Sequence, residues 1–249
     1  CVVGRRVSGR SRRPPLRAWA FFFLAALPDK HSPEVEGNLW LAKALWDLGA
    51  VQFGDFTIGR TTQHSPIYIN LRLLISSPRA LQRCARVMHE NIQTLQAMRH
   101  AKVQPFQRVC GIPFGGLHLA TAYSLRSRTP MVYVHPAKEH NGNRIWVEGL
   151  YNAGENVLLI DDLVTSGGGI IETAKFLRKN AGLHVRDVLV LLDRQEGARE
   201  QLRENGFNLI PILGLETLLN YLMANHLIEE EHYRNSTDYI QARRIARGG

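Results

Sequence analysis

The residues of this chain best equipped for chemistry stand in one stretch, Asn156-Val157-Leu158-Leu159-Ile160-Asp161-Asp162-Leu163-Val164-Thr165-Ser166-Gly167-Gly168-Gly169. Two adjacent carboxylates, Asp161 and Asp162, end a short apolar run of the kind that forms a buried strand. Thr165 and Ser166 then offer hydroxyls, three glycines follow, and a helical pattern begins at Ile170. A glycine turn feeding a helix N-terminus gathers backbone N–H donors and positive potential at one point, where a phosphate fits. Carboxylates at the rim of such a cup suit ribose hydroxyls or the water shell of Mg²⁺. An acidic turn with no ligand would share the acid pair and the glycines. The complete order of strand, acid pair, hydroxyls, glycines and helix is what favours the cup.

The elements that must position these groups follow a simple rhythm. From Val109 onward short apolar runs alternate with amphipathic ones: strands at 109–112, 131–134, 156–161, 188–193 and 209–213, and helices at 117–125, 170–179, 198–204 and 216–225. That pattern predicts an α/β fold with a central, mostly parallel five-stranded sheet covered by helices on both faces. Ligands of such sheets sit beyond the carboxyl ends of the strands, where Asp161, Asp162 and Asp193-Arg194 fall. Before it, Leu39 to Leu48 has helical spacing closed by Gly49, and Val51–Ile58 reads as a hairpin around Gly54-Asp55. Pro66–Arg72 alternates as a strand with one wet face, and Ser77-Pro78 opens a long helix. The basic C-terminal helix, Tyr239 to Arg247, reads as a solvated face.

Composition narrows the function classes. With 249 residues, 45% of them apolar, the chain can bury a sizeable core. Its net charge of +9 is concentrated in residues 1–33, which hold seven Lys or Arg against one acid. The remainder is nearly balanced, so it offers no electrostatic case for nucleic acid. No apolar run reaches the ~20 residues of a membrane helix. The three cysteines, Cys1, Cys84 and Cys110, are too few and scattered for a disulfide framework or zinc site, which points to a reducing compartment. Residues 1–33 are expected to be a disordered or targeting-like extension, because an Arg-rich start precedes the apolar run Ala18–Leu27. Residues 34–249 are then one domain. The expected compartment is the cytoplasm, with organelle import through residues 1–33 as the alternative.

The motif at Asp161–Gly169 resembles the 5-phosphoribosyl 1-diphosphate (PRPP) loop of the type I phosphoribosyltransferases. Three further segments narrow the resemblance to the orotate phosphoribosyltransferases. They are Phe53–Ile58 with Ser65–Arg72, the turn Gly111-Ile112-Pro113-Phe114-Gly115-Gly116-Leu117-His118, and Leu191-Leu192-Asp193-Arg194-Gln195-Glu196-Gly197. The resemblance implies the family fold with a small N-terminal hood, and transfer of the phosphoribosyl group of PRPP to orotate. It implies that Asp161 and Asp162 hold the ribose, that Thr165, Ser166, Gly167, Gly168 and Gly169 hold the 5′-phosphate, and that Leu163 and Val164 belong to the same PRPP-binding run. Lys138 and His140 would contact pyrophosphate from a loop, 135–147, shared across the subunits of a homodimer. Arg194, Thr165, Tyr68, Ile69 and Arg60 would face orotate. Mg²⁺ would be held by pyrophosphate and water near Asp161 and Asp162, with no direct protein ligand.

The chain departs from that pattern where positive charge is usual. Val134-His135 stands in place of an Arg-Lys pair, and Gly59-Arg60 in place of a lysine. Gly115 replaces a lysine found in some members, and Gly169 a common Ser or Thr. The alternative is a non-catalytic protein of the same fold that binds PRPP or a nucleotide, or a phosphoribosyltransferase for another base.

Overall fold

The computed structural model describes residues 38–58, 62–135 and 147–246. The expected extension, 1–33, lies outside them.

The chain enters through α1 (Leu39–Asp47), then forms an antiparallel pair, β1 (Val51–Ile58) and β2 (Thr62–Ile69). A 3-10 helix (Leu71–Ser76) leads into α2 (Pro78–Ala97). The α/β body follows as β3 (Arg108–Gly111), α3 (Gly115–Ser127), β4 (Met131–Val134), β5 (Val147–Glu148), β6 (Asn156–Val164), α4 (Gly168–Ala181), β7 (His184–Asp193), α5 (Ala198–Glu204) and β8 (Asn208–Gly214). Two helices close the chain, α6 (Leu215–Ala224) and α7 (Glu230–Ala246).

The sheet order is β5-β4-β3-β6-β7-β8, parallel except for β5. Six strands therefore stand where five were expected. The sixth, Val147–Glu148, is a two-residue edge too short to announce itself by periodicity. β6 and β7 are central and sort their side chains by the strand period of two. Leu158, Ile160, Leu189 and Leu191 enter one core with α1, α2, α3 and α6. Val157, Leu159, Val188 and Val190 enter a second core under α4 and α5. Each fully buried aliphatic side chain contributes about 1.5–3 kcal/mol, so the two cores fix where the sheet's carboxyl edge lies.

Three local readings need correction. Val51–Ile58 is one strand, not a hairpin: the Gly54-Asp55 step is an irregularity in its pairing with β2, between Phe53 and Phe56. The run expected to be a strand to Arg72 leaves the sheet at Ile69, because Leu71 and Leu74 turn into the core from a 3-10 helix. The C-terminal helix is docked rather than solvated. Ile240 is fully buried, His232 stacks on Phe53 at 4.7 Å, and Arg244 donates to Glu216 at 3.2 Å. Elsewhere local chemistry holds, as at α2, where Ser77 Oγ accepts from Ala80 N and Pro78 opens the first turn. No helix among the described residues is long and apolar enough to cross a membrane.

Candidate active site

β6 carries the acid pair within its second half rather than beyond its end. Its ladder to β7 continues through Leu163 opposite Leu192 and Val164 opposite Asp193, and Arg194 N donates to Val164 O at 3.0 Å. Pairing with β7 before and after them holds the backbone at Asp161 and Asp162 in place. Asp161 Oδ1 accepts from Asp162 N at 2.9 Å, and Asp162 Oδ1 accepts from Leu163 N at 2.9 Å. Both side chains are half-buried. Burial, and then the neighbouring Asp162 charge, hold the Asp161 carboxyl well above the usual carboxylate range. Such a pair favours a ligand that donates hydrogen bonds or brings positive charge.

The helix that follows is open at its start. α4 has Gly167 at its N-cap with no side-chain capping bond and no acid in its first turn. Asp161 and Asp162 therefore do not cap it. Its first amides have no intrahelical acceptor and face the ligand side with the positive end of the helix dipole. Gly167 has φ +83°, and a Cβ there would press on Leu202 of α5. Thr165 and Ser166 are half-buried beside this cup.

A third element completes the edge. The start of α3 lies against the acid pair so closely that a Cβ on Gly115 would overlap the Asp162 carboxylate. A Cβ on Gly116 would overlap Ile160 O. The absence of a side chain at 115 is thus required by where Asp162 sits. Beside it, Phe114 is 66% exposed.

The chain that builds this edge is similar over most of its length to known proteins. The orotate phosphoribosyltransferase of Caenorhabditis elegans is 36% identical over 187 residues, covering 75% of this chain and 78% of that protein. The chain belongs to the orotate phosphoribosyltransferase family. The crystal structure of orotate phosphoribosyltransferase from Aeropyrum pernix superposes with a TM-score of 0.63 at 33% identity, over 74% of this chain and 98% of that one. The uridine 5′-monophosphate synthase of Bos taurus is 34% identical over 201 residues, 81% of this chain. The chain spans only 40% of that longer relative. No family model matches the chain.

Within the family frame, the expected site residues separate into three groups. Asp161, Asp162, Thr165, Ser166, Gly167, Gly168 and Gly169 are brought together as one edge. Leu163 and Val164 join them through the backbone ladder alone: Val164 is 2% exposed in the second core, and Leu163 packs against the first. Arg60, Lys138 and His140 lie outside the described residues, as does loop 135–147 except at its ends. Of the departures flanking that loop, Val134 packs against the second core, so an apolar residue suits the position.

Two residues expected at the base are buried. Ile69 is 3% exposed in the first core, because it alternates with Tyr68 and shares the face of Ile67. Arg194 is 1% exposed and its guanidinium is engaged by protein. Nε donates to Glu196 Oε1 at 2.7 Å, Nη2 to Ser65 Oγ at 3.0 Å and Nη1 to Ile67 O at 3.4 Å. It binds the base-side strand to the end of β7 instead of pointing into open space. Tyr68 is half-buried on the wet face, its ring 5.6 Å from Phe56, and its hydroxyl accepts from Arg72 at 3.2 Å. Glu196, Ser65 and the steric role of Gly115 escaped the sequence reading. The only signal for the first was an acid two residues after Arg194, at the end of an apolar strand.

Proposed function

We propose that this chain transfers the phosphoribosyl group of PRPP to orotate, giving orotidine 5′-monophosphate and pyrophosphate. The observation that carries the reading is the acid pair on β6 joined, through one turn, to the uncapped glycine start of α4. A ring nitrogen of orotate bonds to ribose C1 as the C1–oxygen bond to diphosphate breaks, and the ring nitrogen's proton leaves with water or diphosphate. Charge that develops on an oxocarbenium-like ribose is steadied by the nearby carboxylates. Asp161 and Asp162 accept from the ribose hydroxyls, and those donors favour the ionised form of Asp161 over the protonated one that burial promotes. The amides of Gly168 and Gly169 with the Thr165 and Ser166 hydroxyls take the 5′-phosphate.

Two half-buried carboxylates on one strand form no closed cage for a cation, and no cluster of three or more metal-binding side chains occurs among the described residues. That donor set fits Mg²⁺ that brings its remaining ligands as diphosphate and water. When bound, the ion would neutralise the departing diphosphate. Lys138 and His140 are the chain's candidates for the same task, on a segment that a homodimer would place across the subunit boundary.

The test is direct. Purified protein with PRPP, Mg²⁺ and orotate should consume orotate, read as loss of its ultraviolet absorbance, and release pyrophosphate in equal amount. PRPP binding without turnover would instead support the non-catalytic reading that the missing cations at Val134, His135 and Gly59 suggest. Homodimer formation is read by sedimentation, with Lys138→Ala and Asp161→Asn proteins mixed to look for restored activity in hybrid dimers.

A further inference from the structure

Asp162 on β6 and Gly115 on α3 share one small volume. A Cβ built on Gly115 would lie 2.1 Å from Asp162 Oδ2, 2.2 Å from its Cγ and 2.6 Å from its Oδ1, far inside van der Waals contact. Its three nearest neighbours are thus all atoms of one carboxyl group. Gly116 makes the contrast. A Cβ there would lie 2.3 Å from Ile160 O, which is main chain. Bare backbone at 116 serves the packing of α3 on β6, whereas bare backbone at 115 serves the Asp162 side chain.

Both elements hold the carboxylate in this seat. Asp162 Oδ1 accepts from Leu163 N at 2.9 Å, and β6 is laddered to β7 at Asp161 and again at Leu163. A side chain turned away from α3 gives up the Leu163 N bond. On the other side, α3 starts at Gly115 with no side-chain capping bond and no acid in its first turn. The positive end of its dipole is left to a carboxylate from elsewhere, and Asp162 is the one that lies against it. Asp162 Oδ2 has no hydrogen-bond partner among the described residues, so it remains for a ligand donor.

We infer that Gly115 is a positioning residue for the transfer: by carrying no side chain it seats Asp162 on the start of α3, one oxygen held by β6 and the other left for the ribose. The inference rests on the transferase reading above and deepens it. The departure from members that carry a lysine at 115 is then an exchange, in which the carboxylate takes the space, rather than the loss of a cation.

The experiment measures steady-state turnover with PRPP and orotate, and the melting midpoint, for a set of variants. They are Gly115→Ala, Gly115→Lys, Asp162→Ala, Gly116→Ala, and Asp162→Ala combined with each alanine at 115 and 116. Gly115→Ala should lower kcat roughly 10²-fold, as Asp162→Ala does, because a displaced carboxylate no longer serves the transition state. KM for orotate should stay as in wild type, which a general loosening of the site would not allow. Gly115→Lys should fall with the alanine variant despite its added charge. Gly115→Ala/Asp162→Ala should be no slower than either single variant and should melt above Gly115→Ala, since the shorter side chain at 162 makes room. Gly116→Ala strikes main chain and should gain nothing from Asp162→Ala. If Gly115→Ala does not fold, recovery of folded protein in the double variant supports the assignment and failure to recover it overturns it. Wild-type kcat in Gly115→Ala, a Gly115→Lys enzyme faster than wild type, or additive losses in the double variant also overturn it. Absence of wild-type turnover removes the transferase reading; the coupling of melting midpoints between 115 and 162 then decides separately whether Gly115 seats Asp162.

Discussion

The two sides of this site are built by opposite means. The phosphate side is a single run of chain, β6 to α4, in which each group is placed by its immediate neighbours: Asp161 by Asp162 N, Asp162 by Leu163 N, and the cup by Gly167 at φ +83°. The base side is held at long range. Ser65 and Ile67 take their place from Arg194, 129 and 127 positions away, and β2 is backed by α7 from the far end of the chain. A locally determined ligand cup can be rigid before substrate arrives. A side held by one buried charge network is where loss of a single group should matter most.

The largest effect should come from that network. Arg194 and Glu196 are 2% and 0% exposed at their side chains, so Arg194→Ala removes one member of a buried ion pair. Removing one partner of such a pair costs about 3–5 kcal/mol. Urea denaturation should show the loss as a lower midpoint, together with loss of orotate binding. A stable variant with intact orotate binding would show that the base side holds itself together and would erase the contrast.

The phosphate side should respond to substitution in the opposite sense for stability and activity. Asp161→Asn should lower kcat by roughly 10²- to 10³-fold, the scale of losing one electrostatic group in a transition state. The same change should raise the melting temperature at neutral pH. The sign follows from linkage: the folded carboxyl titrates above its ordinary value of 3.8, so the native state binds more protons than the unfolded chain over that interval. Stability of the wild type therefore falls as pH rises from the ordinary carboxylate range through the raised value, then levels off. The advantage of the asparagine variant should shrink as pH falls toward 4 and vanish below it. A melting temperature lowered at neutral pH would mean that the charge of Asp161 is compensated by groups beyond those that surround it.

Ser65→Ala sharpens the comparison from the base side at lower cost. Ser65 Oγ is fully buried, accepts from Arg194 Nη2 and donates to Ile67 O at 2.8 Å. Removing those two bonds from a buried network should cost about 1–3 kcal/mol. The orotate KM should rise while the PRPP KM holds, a split that steady-state kinetics would read.

This division also explains what the sequence made legible. The parallel sheet, the acid pair and the glycine turn were all readable, because each depends on contiguous residues and a period of two or 3.6. The positions of Ile69 and Arg194 were not. Whether Tyr68 or Ile69 faces the ligand depends on strand register, and a shift of one residue exchanges the two. Arg194 lies in a motif that signals a functional arginine, yet its partners Ser65 and Ile67 become neighbours only after the sheet has assembled. Gly115 was legible as a departure but not as a necessity, since the carboxylate that excludes a side chain there comes from β6. The edge strand β5 was too short for any pattern, and the docking of α7 depends on Ile240 meeting a core assembled elsewhere.

The smallest effect separates two glycines, Gly167 and Gly169, within the cup. At Gly167 the backbone has φ +83° and an added Cβ would lie 3.0 Å from Leu202 Cγ, so Gly167→Ala faces both backbone strain and crowding. The αL strain alone is about 1–2 kcal/mol, and the altered turn should raise the PRPP KM. At Gly169 nothing stands within 4 Å of the Cβ position and the backbone is not left-handed. Replacing a helical glycine there with threonine removes unfolded-state freedom, which offsets threonine's modest helix preference and leaves stability within about 1 kcal/mol of wild type. The added hydroxyl lies one residue into α4, where the start of the helix faces the phosphate, and it should lower the PRPP KM severalfold by adding one neutral donor. If Gly169→Thr weakened PRPP while Gly167→Ala did not, the cup would be centred nearer the strand than the helix start, and the phosphate side would have to be redrawn around Thr165.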